Sequence, residues 1–184
     1  MKKMMCVLLA ISSIFGFSFD KQTDLSADLM AQVSLIKAMM PNVNAIGVMV
    51  GPNDLEKVKE SIAKAQSELG LKIVTVSVKD VRQKVGHYLR LAANGVVKNH
   101  GVQALIFVNG QDSITKNPLG IKMTSSGLSQ SKVPVFTANE KGHSLGCLGQ
   151  FNFDGSQWVV HIDSKTASKL EITLPSDVNG VILN

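Results

Sequence analysis

Residues 44–50 read NAIGVMV, a nearly continuous apolar run that ends at the turn-forming segment GPND of residues 51–54. Apolar runs of this length without alternation are typical of parallel strands that are buried on both faces of a sheet. The residues after the turn predict a helix, because Leu55, Val58, Ile62, Ala65 and Leu69 recur at helical spacing. Asn53 is predicted to cap this helix with Glu56 in the capping-box position, and Gly70 to end it.

A further helix is predicted before this unit, and the strand-then-helix cycle repeats after it. Upstream, residues 29–40 predict an amphipathic helix that Pro41 stops. Downstream, strands are predicted at residues 72–78, 104–108 and 134–137, and helices from Asp80 to residue 96 and over residues 118–128. Strands that alternate with helices of 10–20 residues predict βαβ units, with helices on both faces of a parallel sheet.

The C-terminal third departs from this cycle. Residues 145–153 and 157–162 flank the turn signal DGS at 154–156, which predicts an antiparallel hairpin. A short helical turn is predicted over residues 166–170 and an extended piece over 172–175. The predicted fold is therefore an α/β, Rossmann-like or flavodoxin-like three-layer domain, with about four parallel strands and a C-terminal antiparallel hairpin.

The first eighteen residues have the layout of a secretory signal peptide. Lys2 and Lys3 precede a charge-free apolar run, and Gly16 and Ser18 supply the small residues before a cut. The run is shorter than the roughly 20 residues of a membrane-spanning helix. We therefore expect export to the periplasm and a single mature domain over residues 19–184.

Charge and cysteine content exclude several kinds of protein. Lys2 and Lys3 leave with the signal peptide, so the net charge falls from +5 to about +3. The sequence has no dense basic block and only nine aromatic residues, so no nucleic-acid partner is expected. Cys147 would be the one mature cysteine, which excludes an internal disulfide, and it is predicted to be a buried strand residue rather than a reactive thiol.

Enzyme signatures are absent from the sequence. The first strand is not followed by G-x-G-x-x-G, the GPND turn lacks a P-loop lysine, and no G-x-S-x-G is present. The four histidines are scattered, which argues against a metal site. A pairing of His143 with Cys147 is conceivable, but no third group is in place to orient it. We expect no catalytic residues, no metal and no cofactor.

The polar loops after the predicted strands are the candidate binding site. Ligands of open α/β sheets bind at the carboxyl ends of the strands, where the strand order switches. These loops are rich in Asn, Gln and Asp, which can hydrogen-bond a small polar solute, although turn formation also explains such residues. The candidate ligand-binding residues are Gly51, Asn53, Asp54, Asn109, Gln111, Asp112 and Asn139.

Several segments resemble the substrate-binding proteins of ABC transporters, in particular the group linked to aromatic amino acids and similar small solutes. They are PNVNAIGV at 41–48, ELGL at 68–71, KVPVF at 132–136 and the tail from Trp158 to Pro175. The resemblance implies a solute site at residues 51–54 and 109–112. Members of that family have two lobes, whereas this sequence suffices for one, and the hairpin stands where the family has a helix.

A second resemblance is to small periplasmic repressors of diguanylate cyclases, carried by the late hairpin and residues 159–175. It implies a regulator that binds the sensor domain of a membrane protein, often as a dimer. The sequence thus predicts a non-catalytic, single-lobe accessory protein. Its expected partner is a small polar solute, such as an amino acid, or a membrane sensor or transporter protein, and a homodimer is an open alternative.

Overall fold

The computed structural model describes residues 25–78, 84–108, 110, 113–175 and 177–184. The predicted signal peptide and the candidate residues Asn109, Gln111 and Asp112 lie outside this range, as does the predicted helix start at Asp80. In the described part of the chain, no helix is both long enough and apolar enough to cross a membrane.

Strands and helices alternate through the first three-quarters of the chain. The helices are α1 (Leu25–Met39), α2 (Leu55–Leu69), α3 (Val85–His100), α4 (Ser113–Lys116), α5 (Pro118–Leu128) and α6 (Ser164–Lys169). The strands are β1 (Ala45–Met49), β2 (Lys72–Val76), β3 (Ala104–Phe107), β4 (Val135–Thr137), β5 (Gly149–Phe153), β6 (Trp158–Ile162) and β7 (Val181–Leu183).

All seven strands join one sheet, in the order β2-β1-β3-β4-β5-β6-β7. The pairs from β2 through β5 are parallel, β5 and β6 form the predicted antiparallel hairpin, and β7 adds in parallel to β6. The α/β class, the parallel sheet and the hairpin are thus confirmed. The predicted count of about four parallel strands is too low, since β5 extends the parallel part of the sheet and β7 pairs beyond the hairpin.

The helices cover both faces of the sheet, as the alternation predicts. On one face α1 and α2 pack over a core that includes Ile46 and Ile106. On the other face α3 and α5 pack over a core that includes Met49 and Leu105. Neighbouring residues of the same strand therefore feed opposite cores, which is why β1 and β3 are apolar at every position.

Two details of the turn after β1 differ from expectation. Helix α2 begins at Leu55. Asp54 occupies the N-cap position, but its side chain makes no capping hydrogen bond. The predicted capping by Asn53 is therefore wrong, because the chain enters the helix one residue later and the Asp54 side chain is directed into the protein. Gly70 does end the helix, with a left-handed φ of 62° that suits glycine.

Candidate functional site

The strand order switches direction at β1 and β3. The chain passes from β1 outward to β2 and then crosses back over β1 to β3, so α2 and α3 lie on opposite faces of the sheet. The loops that leave the carboxyl ends of β1 and β3 consequently diverge. This divergence opens the crevice in which doubly wound sheets bind their ligands.

Asp54 lies at this crevice and points inward. Its side chain is only 1% exposed, and its Oδ1 accepts a 2.9 Å bond from the Lys57 Nζ, which forms an ion pair with it. Gly110, just after β3, lies against the same carboxylate, since a Cβ on Gly110 would fall 2.1 Å from Asp54 Oδ2. Only glycine allows the backbone after β3 to approach this closely. The loops after β1 and β3 are therefore in close contact, through the buried Asp54 carboxylate and the backbone of Gly110.

A pocket of about 310 Å³ opens at the carboxyl ends of β3 and β4. Its apolar lining comes from Phe107, Val108, Pro118 and Ala138. Its polar and charged lining residues are Thr115, Lys116, Thr137, Asn139, Glu140 and Lys141. The lining thus combines apolar residues with charged residues of both signs.

Asn139 shapes the loop after β4. Its backbone N–H donates to Thr137 Oγ1 over 3.1 Å, and its side-chain Oδ1 accepts from the backbone N–H of Lys141 over 2.9 Å. These two bonds form a local turn that positions Glu140 and Lys141, which also line the pocket. The Asn139 side chain therefore both fixes the loop and lines the pocket.

The seven candidate residues separate into four groups. Asn139 lines the pocket, Gly51 and Asp54 are buried at the carboxyl end of β1, and Asn53 is exposed on the turn. Asn109 and Gln111 flank Gly110 in the sequence, and Asp112 follows Gln111. All three lie outside the described residues.

Of the six polar or charged lining residues, only Asn139 was among the candidates named from the sequence; the five others are Thr115, Lys116, Thr137, Glu140 and Lys141. Thr137 is the last residue of β4, a position that the rule of carboxyl-end ligands points to directly. Lys116 lies in α4, a four-residue helix that is too short to leave a periodic pattern in the sequence.

The histidine and cysteine that the sequence singled out have separate partners in the part of the chain that the structure describes. His143 Nε2 lies 3.0 Å from the carbonyl oxygen of His161, and Cys147 contacts the Ser125 hydroxyl at 3.5 Å. Burial raises the pKa of the Cys147 thiol to about 12, outweighing the Ser125 hydrogen bond, which lowers it. Among the described residues, no three His, Cys, Asp or Glu side chains are grouped as metal ligands would be.

Cys147 is buried, as expected, and it lies two residues before β5 rather than within a strand. The thiol and His143 each have a different partner. The conceivable Cys–His pair is therefore not formed in the structure.

Three of the solved structures that share this fold are bacterial proteins. A conserved domain protein of Vibrio cholerae O1 biovar El Tor is 20% identical with a TM-score of 0.63, and covers 80% of this chain and 56% of its own. The ABC domain in complex with L-Trp from Streptococcus pneumoniae is 22% identical with a TM-score of 0.65, covering 84% and 62%. A ligand-free, open substrate-binding protein with adhesive properties from Clostridium difficile is 14% identical with a TM-score of 0.62, covering 83% and 58%.

This chain thus spans between 56% and 62% of the length of those three structures. No match was found among curated proteins. A family model described as "ABC transporter substrate binding protein" matches residues 14–178, which is most of the chain. The family resemblance seen in the sequence is therefore confirmed, and the chain belongs to the ABC transporter substrate-binding protein family.

Proposed function

We propose that this protein is a non-catalytic, exported accessory protein that binds a small zwitterionic solute, such as an amino acid, at the carboxyl edge of its sheet. The observation that carries the proposal is the pocket between the ends of β3 and β4, with its two lysines and one glutamate. Membership of a substrate-binding family, whose members are typically extracytoplasmic and generally non-catalytic, supports it.

The chemistry of the lining favours a solute that carries both charges. The ammonium groups of Lys116 and Lys141 suit a carboxylate, and the Glu140 carboxylate suits an amino group. Phe107 and Pro118 provide apolar surface for a side chain. A related fold from Streptococcus pneumoniae holds L-Trp, which is a solute of this class.

The buried contact between Asp54 and Gly110 supports the site without touching the solute in our proposal. A rigid base lowers the entropy cost of ordering the pocket on binding. The described pocket is lined from one edge of one sheet, so a solute would be only partly enclosed. Because enclosure of 70–90% of a ligand's surface is usual in tight sites, we expect weak affinity and a sensing or accessory role.

A thermal-shift screen with amino acids and small carboxylates tests the proposal. A solute present at about 100 times its dissociation constant stabilises the folded state by about 2.7 kcal/mol, so Tm should rise measurably. The substitution Lys141→Ala should weaken binding of the best solute about tenfold, as loss of a charge-assisted hydrogen bond does, without changing Tm in the solute's absence.

Lys64→Ala is the matched control, because Lys64 is an exposed lysine on α2 whose ion-pair contact with Glu68 is long, at 3.9 Å. It should leave binding unchanged. The proposal would be wrong if no solute raised Tm, or if the two lysine variants affected binding equally.

Export is a separate part of the proposal, supported by the apolar run after Lys3. Expression of the full chain in a Gram-negative host, followed by N-terminal sequencing of the periplasmic fraction, should give a protein that begins at Phe19. Recovery of the chain only in the cytoplasm with its first residues intact would refute export and leave the binding proposal standing.

A further inference from the structure

The positive charge of this protein is concentrated in one segment of the chain, whose helices α3 and α5 form one layer on the sheet. Within this segment, Lys116 lines the solute pocket and Lys132 pairs with Glu171. Residues 84–132, which include α3 and α5, contain six Lys or Arg and a single acid, Asp112. Their net charge of +5 equals that of the whole chain, so the remaining residues are balanced. Asp112 lies outside the described residues, and the described part of this layer contains no acid.

Three lysines of this layer are exposed and form no ion pair with any acid that the structure describes. Lys84 and Lys98 stand at opposite ends of α3, and Lys122 is on α5. None of them forms an ion pair with an acid in the part of the chain that the structure describes. Their charge is therefore available to an external partner.

The opposite layer is arranged differently. The α2 lysines Lys57, Lys59 and Lys64 each pair with an acid three or four residues away, namely Asp54, Glu56 and Glu68. Such pairs cancel the charge locally. The excess charge of the α3–α5 layer is therefore a local property and not a general feature of the helices.

Large apolar side chains emerge among these lysines. Leu119 is 63% exposed, Leu91 is 49% exposed and Tyr88 is 41% exposed. Tyr88 and Leu91 lie on the same exposed side of α3 as Lys84 and Lys98, because the four residues recur at intervals of three, four and seven. Single exposed apolar residues are ordinary, but three within a basic layer form an amphipathic surface.

A groove runs between the two helices. It has a volume of about 510 Å³, and its lining includes Arg90, Leu119, Lys122 and Met123 but no acid. The Arg90 stem packs against Gly127, where a Cβ would fall 2.7 Å from Arg90 Cγ. This packing fixes the aliphatic part of the Arg90 side chain in the groove. Arg90 therefore adds a fourth positive charge at a defined place.

We propose that this surface, which we call the α3–α5 face (Lys84, Tyr88, Leu91, Lys98, Leu119, Lys122 and the Arg90 groove), docks on anionic lipid headgroups. The lysines would lie against the phosphates, and Tyr88, Leu91 and Leu119 would enter the interface. Basic helices with Leu and aromatic residues bind membrane surfaces in this way.

The composition of the face favours lipid over an acidic protein. Protein interfaces are depleted in Lys and enriched in Arg, whereas three of the four cations here are lysines. Lysine has a long stem that can pass apolar surface while its ammonium group reaches a headgroup. The α3–α5 face combines exposed leucines with lysines that form no ion pair with a described acid. This combination fits a lipid surface, because binding there depends more on the number of charges than on their exact geometry.

Co-sedimentation with vesicles tests the proposal. The full chain should bind vesicles of phosphatidylcholine with about 30% phosphatidylglycerol, but not vesicles of phosphatidylcholine alone, and binding should fall as salt rises. The triple variant Lys84→Gln, Lys98→Gln, Lys122→Gln should lower the partition coefficient by roughly 100-fold, at about fivefold for each cation near the surface.

The matched control is the triple variant Lys59→Gln, Lys64→Gln, Lys165→Gln, which removes the same charge from exposed lysines elsewhere. It should retain most of the binding. An equal loss in both triple variants would mean that net charge alone causes adsorption and would overturn the assignment of the face. Thermal melts of both variants show whether each is folded.

The apolar contribution has its own control. Leu91→Ser with Leu119→Ser should weaken vesicle binding several-fold, whereas Ile182→Ser, at an exposed residue of β7, should have no effect. The absence of any preference for anionic vesicles in the unmodified chain would overturn the proposal and would direct the search to an acidic protein instead.

Discussion

At the scale of single residues, the candidate site depends on one close contact. The Asp54 carboxylate is buried, is paired with Lys57, and faces the backbone of Gly110. A buried charge is tolerated only when it is paired or hydrogen-bonded. The Asp54 pairing therefore supports the loops after both β1 and β3, and any side chain at residue 110 would disturb it.

We expect Gly110→Ala to lower the free energy of unfolding by about 1–3 kcal/mol, the usual cost of inserting a group into a packed site. The new Cβ would lie 2.1 Å from Asp54 Oδ2 and 2.8 Å from Asp54 Cγ, so the carboxylate must move. Chemical denaturation measures the change. The control Gly95→Ala meets nothing within 4 Å in the interior of α3, and should stabilise the protein by about 0.5–1 kcal/mol. Equal effects at the two positions would contradict the contact.

The buried thiol allows a second prediction at this scale. Burial raises the pKa of Cys147 to about 12, and the thiolate is the reactive form. In a Cys6→Ser variant at pH 8, Cys147 should resist a maleimide reagent while the protein is folded and react fully in denaturant. Labelling is measured by mass spectrometry.

The same shift gives a pH dependence. An unfolded cysteine has a pKa of about 8.5, so the folded state keeps the contribution of the neutral thiol below that pH. This contribution is lost as the pH rises from about 8.5 toward 12, since the unfolded chain ionises first. Fast labelling of the folded protein at pH 8 would contradict both statements.

At the scale of elements, a side-chain hydrogen bond joins β6 to α1. The Trp158 Nε1 donates to Asp28 Oδ1 over 2.8 Å, across 130 residues of sequence. The Trp158 ring also packs edge-on against Phe153, with 5.8 Å between ring centroids. Together these contacts anchor the hairpin of β5 and β6 to the helix layer.

Trp158→Phe should lower the free energy of unfolding by about 1.5–3 kcal/mol, because it removes a hydrogen bond to a charged group and keeps an aromatic ring. Denaturant unfolding checks this value. Asp28→Asn is the matched variant, since it keeps an acceptor oxygen for the indole and should cost less. A larger loss in Asp28→Asn than in Trp158→Phe would show that the bond is not what joins these elements.

Helix α2 shows what sequence patterns predict well at this scale. Its apolar spacing and the glycine at its end depend only on residues next to each other along the chain, and both were predicted correctly. Its start was predicted one residue early. Asn53 and Asp54 are both good capping residues, and the choice between them was decided by the burial of Asp54 against Gly110, which is a long-range contact.

At the scale of the whole molecule, one sheet separates two cores. Ile46 and Ile106 contribute to the core under α1 and α2, while Met49 and Leu105 contribute to the core under α3 and α5. Strands β1 and β3 are thus shared between the cores. Loss of β1 or β3 from the sheet would therefore expose both cores to solvent.

We therefore expect residues 19–184 to unfold in a single cooperative transition. Calorimetry should give equal calorimetric and van't Hoff enthalpies, which is the test of two-state behaviour. Intrinsic fluorescence of Trp158, which contacts α1, and the far-UV signal of the helices should change together. Two separate transitions would show that the two layers fold independently.

The sequence by itself determined the order of strands and helices, the parallel α/β class and the hairpin, because hydrophobic period and turn residues are local properties. Family membership also follows from the linear order of its motifs. Tertiary structure alone decided that β5 pairs with β4, which is a long-range contact, and that α4 and β7 form, since elements of four and three residues have too few positions for a periodic pattern.

The site shows the same division. The polar loops at strand ends could be named from the sequence, but their roles could not. Asp54 turns inward, Asn53 turns outward, and Lys116 and Thr137 join Asn139 around the pocket. Which side chain faces a pocket depends on contacts between residues far apart in the chain. Only the folded chain brings those residues together.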